Sequence, residues 1–111
     1  MNQLDRFRET ISSYRKHGWQ LRRVLISEST ADALRRSGEL DFDGIEPEGT
    51  PVDALWFARP SHAGREAWEL RLIGDSPYAL FEAFDADCDE DLREEKLREM
   101  QTRLIEYATR D

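Results

Sequence analysis

The clearest hydrophobic rhythm lies in residues 53–85, where short apolar runs and regular alternation predict three consecutive β-strands joined by two turns. Residues 54–58 are apolar throughout and bounded by Pro51 and Pro60, too short a run for a helix. Residues 66–73 alternate, with Trp68, Leu70 and Leu72 on one face and Ala67, Glu69 and Arg71 on the other. Residues 78–84 follow Gly74, Asp75, Ser76 and Pro77, which tolerate or pre-set turn dihedrals, so a hairpin is predicted. With that turn holding 74–77, Ile73 pairs with Tyr78, Leu70 with Phe81 and Trp68 with Ala83. A connection through residues 60–65 sets Phe57 opposite Trp68 and Leu55 opposite Leu70. One face then collects Leu55, Phe57, Trp68, Leu70, Leu72 and Phe81 as the core, and the other carries Trp56, Glu69, Arg71, Leu80, Glu82 and Phe84. A one-residue slip in either turn exchanges these assignments.

Helical spacing frames this core. Leu4, Phe7, Ile11 and Tyr14 recur every three or four positions across residues 2–17, with Gly18 placed to end the helix. Residues 19–26 read as a fourth strand, apolar at both ends and crossed by Arg22 and Arg23. A short helix over 30–37 follows, with Ser29 as N-cap, Asp32 in the capping-box position and Gly38 past the last turn. Residues 39–51 hold two Gly and two Pro among acidic side chains, with Leu40, Phe42 and Ile45 interspersed, the composition of an ordered loop. The longest predicted helix covers 89–109, with Leu97, Met100, Leu104 and Tyr107 on one face and Asp89, Glu90 and Asp91 at the positive end of its dipole. The fold class expected is α+β: a two-layer sandwich in the order α-β-α-β-β-β-α, with a mainly antiparallel sheet and the N- and C-terminal helices on one face.

Composition narrows the function classes. The 111 residues are expected to form a single domain over 1–111, with enough apolar content for one core. No run approaches the ~18 apolar residues of a membrane span, and residues 1–6 are polar rather than signal-like, so the expected location is the cytoplasm, away from membranes. The single cysteine, Cys88, excludes an intrachain disulfide and agrees with a reducing compartment. A net charge of -8 argues against a nucleic-acid partner, since phosphate neutralisation dominates such affinity. The sign is uneven: through Arg36 there are eight basic residues against four acidic, and thereafter eight against twenty. That asymmetry suits self-association, pairing between the two parts of the chain, or simply a solvated surface.

Motifs for chemistry are weak. The acidic run 85–91 begins like a calcium loop, yet its sixth position is Glu90 instead of Gly and its twelfth is Lys96 instead of a bidentate Glu; an acidic helix cap accounts for the same residues, and no metal is expected. Asp53 opening one strand, with Glu69, Leu70 and Arg71 in the next, is a partial match to the Asp and Glu-x-Lys arrangement of metal-dependent nucleases, with Arg in place of Lys. Ser61 beside His62 lacks the third group that nucleophilic catalysis needs. His17 is placed to interact with the end of the first helix.

Two function classes remain. The first is a non-enzymatic protein-interaction or regulatory module without a cofactor, binding a protein partner or a second copy of itself through the face bearing Trp56, Glu69, Arg71, Leu80, Glu82 and Phe84. Such a domain is broadly similar to type III secretion chaperones in size, charge and class, although the strand order read here differs from the usual one. The alternative is a small-molecule or anion-binding domain, or an enzyme, using the loop 59–66, where Arg59, His62 and Arg65 would present forked donors to a carboxylate or phosphate. The same expectation leaves a short helix or the 39–51 loop free to fold over the exposed sheet face.

Overall fold

The computed structural model describes residues 2–38 and 40–110. Its elements are α1 (Gln3–Lys16), β1 (Gln20–Ile26), α2 (Glu28–Ser37), β2 (Glu48–Gly49), β3 (Ala54–Pro60), β4 (Glu66–Leu72), β5 (Ala79–Phe84) and α3 (Glu90–Thr109). The strands form one mostly antiparallel sheet in the order β2-β1-β3-β4-β5. The α+β class, the element order and the antiparallel meander match the expectation, with one addition. Inside the predicted loop the two-residue β2 runs parallel to the end of β1. Glu39, the first residue of that loop, lies outside the described residues. No helix among the described residues is long and apolar enough to cross a membrane.

Both predicted turns are one residue out. Ile73 does not pair with Tyr78: it extends the β3–β4 ladder by one step, donating its N–H to the Asp53 carbonyl at 3.0 Å and burying its side chain, and the β4–β5 turn closes by Leu72 N–H to Tyr78 O at 2.9 Å. The β4–β5 turn is thus one residue longer than predicted, and the β3–β4 connection is one residue shorter. Pro60 pairs with Glu66, Ser61 N–H donates to Arg65 O at 2.8 Å, and a single 3₁₀ turn at His62–Gly64 carries Ala63 at φ 57°. Trp56 therefore pairs with Leu70, which in turn pairs with Leu80, while Phe57 pairs with Glu69, which in turn pairs with Phe81.

This register overturns the placement of both terminal helices on one face. Leu55, Trp56 and Phe57 are consecutive and all fully buried, so β3 points large side chains in both directions and each direction needs cover. Phe7 and Ile11 of α1, with Phe42 from the loop, pack on Leu21, Val24, Leu55 and Phe57. Leu97, Met100 and Leu104 of α3 pack on the opposite side against Trp56, Trp68, Leu70 and Phe84. The sheet is thus sandwiched between helices, in three layers instead of two. Burying one such aromatic contributes about 3 kcal/mol, which pins the register more firmly than the turns do.

Two local features complete the frame. A bulge between Leu21 and Arg23 lets Arg22 and Arg23 both lie over the indole of Trp68, at 5.2 and 5.5 Å, while Leu21 and Val24 still face α1. Helix α2 starts earlier than predicted, with Ser27 in place of Ser29 as N-cap. The cause is tertiary: Asp53 accepts from Ser27 N–H at 2.7 Å, from the Thr30 hydroxyl at 2.7 Å and from the Gln3 amide at 2.8 Å. One carboxylate thereby ties α1 and α2 to the start of β3.

Candidate interaction surface

Helix α1 covers β1 and β3 but stops short of the last two strands. On its side of the sheet β4 presents Ala67, Glu69 and Arg71, and β5 presents Ala79, Phe81 and Ala83. Phe81, expected in the core, is 58% exposed there, between two alanines on the outermost strand. Its cross-strand neighbour Glu69 accepts a hydrogen bond from the Tyr14 hydroxyl. Tyr14 in turn stacks on Phe57, with centroids 4.0 Å apart and planes 9° from parallel, and meets Trp19 edge-on. Burial, and then the hydrogen bond to Glu69, push the Tyr14 phenol well above its ordinary range, while nearby Arg71 acts in the opposite sense. A phenol shifted upward is carried away from the pH at which it serves as a general acid or base.

The six residues assigned to one partner-binding face do not share it. Glu69 and Arg71 lie on the α1 side, whereas Trp56, Leu80, Glu82 and Phe84 lie on the α3 side. Trp56 is fully buried and its indole N–H donates to Gln101 at 3.1 Å; Phe84 is buried and Leu80 half-buried against α3. Glu82 keeps some exposure and pairs with Lys96 at 3.7 Å. The observed register separates the two groups, and α3 covers the face expected to be free.

The loop 59–66 does not gather its cations. Arg59 reaches toward α1, donating to the His17 carbonyl at 2.7 Å and lying over Trp19 at 4.7 Å. Arg65 turns toward the far strand and pairs with Asp85 at 3.1 Å, with His62 exposed on the 3₁₀ turn between them. Other chemical candidates are equally committed. Asp53 is engaged by its three donors, and Asp89 caps α3 through Asp91 N–H at 2.9 Å. Among the described residues no group of three or more His, Cys, Asp or Glu is arranged to hold a metal ion. Three arginines of the basic N-terminal part pair with later acids: Arg6 with Asp75, Arg15 with Asp43 and Arg23 with Glu94. Part of the charge asymmetry is thus spent within the chain.

The exposed features converge on one edge. Besides Phe81, the large apolar side chains exposed among the described residues are Leu92 and Tyr107 of α3. Tyr107 stacks on Tyr78 just before β5, with centroids 3.8 Å apart, and Lys96, one turn from Leu92, reaches Glu82. Both therefore border β5, whose outer edge pairs with no strand among the described residues. Compared with protein-family models, with curated proteins and with solved structures, the chain gives no match.

Proposed function

We propose that this protein is a non-enzymatic protein-interaction module that engages its partner along the β5 side of the sheet. The observation that carries the reading is Phe81: an aromatic ring more than half exposed, near the centre of a six-residue edge strand whose outer side pairs with no strand among the described residues. Interfaces favour aromatic and Arg side chains at their centres, and an open sheet edge offers backbone hydrogen bonds to an incoming strand. Glu69 and Arg71 beside Phe81 supply charges of both signs for orientation. A single free cysteine, partly buried, suits the cytoplasmic setting this reading assumes. No observation favours an anion site at the hairpin loop, whose arginines are engaged on opposite flanks.

The test is site-specific crosslinking in the source cell, with a benzophenone side chain replacing Phe81 or, as control, Glu9 on the exposed side of α1. A discrete adduct from position 81 alone, competed away by unlabelled wild type, is expected. No adduct from position 81, or the same adducts from both positions, overturns the reading.

A further inference from the structure

Resting on that interaction reading, we infer that the partner at this edge is a second copy of the chain: two β5 strands pair antiparallel about Phe81 and join two five-stranded sheets into one. The two sheet edges differ in kind. The β2 edge is two residues long and sits between Pro47 and Pro51, features that block strand addition. The β5 edge has six residues without Pro, Gly, Lys or Arg, and pairs with β4 without a bulge. Its one charge, Glu82, is turned to the α3 side and held by Lys96.

The hydrogen-bond alternation selects the register. Because Leu72 N–H donates to Tyr78 O, the even-numbered residues of β5 face β4, and Ala79, Phe81 and Ala83 turn their N–H and C=O groups outward. A two-fold axis at Phe81 brings these same groups together. Phe81 meets Phe81 of the second copy, and each Ala79 meets an Ala83, so the aromatic pair is flanked by small residues that leave it room. On the α3 side Leu80 faces Glu82 of the second copy, and no like charges stand directly opposite.

Helix α3 fits the same axis. It rides over both β4 and β5, so its axis and that of its copy would lie about two strand spacings, roughly 10 Å, apart, a normal distance for packed helices. The helix runs opposite to β5, since Tyr107 sits beside Tyr78 and Lys96 beside Glu82. Symmetry then sets Glu95 against Arg103 of the other copy, opposite charges in both directions, while Glu99 lies near the axis with its charge held by Lys96 of its own chain at 3.8 Å. The net charge of -8 opposes association at long range but is screened within about 8 Å at physiological ionic strength.

Sedimentation equilibrium is expected to show a dimer for the wild type and, for Phe81→Asp, dissociation at roughly tenfold higher concentration or more. Register is read separately in a Cys88→Ser background. Phe81→Cys should form an intermolecular disulfide on oxidation, because a hydrogen-bonded antiparallel pair holds its Cα atoms about 5.5 Å apart, whereas Ala79→Cys alone should not. Arg103→Glu should weaken the dimer and Glu95→Arg in the same chain should restore it. A monomeric wild type, or a dimer unchanged by Phe81→Asp in a variant whose circular dichroism is native, overturns the inference. A crosslink from position 81 to a different protein, with a monomeric wild type, overturns the second copy while leaving the interaction reading intact; absence of any crosslink and of any dimer sinks both.

Discussion

The hydroxyl of Tyr14 in α1 donates to the carboxylate of Glu69 in β4, reaching past β3 to the strand beyond which the sheet face becomes exposed at Ala79 and Phe81. This contact marks the border between the covered and uncovered parts of that face. It also gives the protein a pH signature. The phenol ordinarily titrates near pH 10 and is held higher in the fold, so the folded state keeps its proton where the unfolded chain has lost it. The stabilisation is complete below about pH 10 and is lost as pH rises through the folded-state value. Denaturant unfolding at a series of alkaline pH values is expected to show a steeper loss of stability for the wild type than for Tyr14→Phe. Equal slopes would remove Tyr14 as the cause.

Asp53→Ala should destabilise the fold by about 3 kcal/mol, because it strands the Ser27 N–H, the Thr30 hydroxyl and the Gln3 amide together. Thr30 is almost fully buried, so water cannot easily replace the carboxylate there. Urea denaturation monitored by tryptophan fluorescence measures the effect. A loss below about 1 kcal/mol would show that the three donors find other acceptors.

Trp56→Ala and Phe81→Ala separate the observed arrangement from one with both helices on a single face. Trp56 is enclosed by α3, and its truncation is expected to cost about 3–5 kcal/mol. Phe81 lies outside the core, and its truncation should cost the monomer about 0.5 kcal/mol or less. Measured below the dimer dissociation concentration, comparable losses for the two variants would contradict the register described above.

Ala63→Gly is expected to stabilise the protein by up to about 1 kcal/mol. Ala63 sits at φ 57°, a left-handed conformation in which its Cβ crowds the following carbonyl, and glycine removes that penalty at some cost in unfolded-chain entropy. A rise in the thermal midpoint reads it directly. A fall would mean that the entropy term wins at this turn.

Element identity was legible because it depends on local spacing. The Leu4, Phe7, Ile11 stripe, the alternation of residues 66–72 and the Leu97, Met100, Leu104 stripe each report their own element without reference to the rest. Register was not, because the decisive contact is long-range: Ile73 gives up Tyr78 to extend the β3–β4 ladder to the carbonyl of Asp53, twenty residues earlier. Asp53 likewise chose Ser27 over Ser29 as the α2 cap, a choice that two serines two residues apart leave open locally. The candidate site suffered most from this, since one residue of slip moved Phe81 from core to surface and Trp56 from surface to core. A usable signal was present in β5 itself, where Ala79 and Ala83 flank Phe81 on one face, a pattern too small to fill a core.

The bulge in β1 makes Arg22 a supernumerary residue in an otherwise strictly paired strand. Without it the order Leu21, Arg23, Val24, Leu25, Ile26 alternates regularly between the α1 and α3 sides, and every one of those side chains keeps its present destination. A central strand normally tolerates no change of length, yet here a single-codon deletion at Arg22 should yield a folded protein, whereas deletion of Val24 should not. Soluble expression and circular dichroism of the two deletions would decide it. The bulge thus acts as slack in the chain, a position where length can change without the sheet being re-threaded.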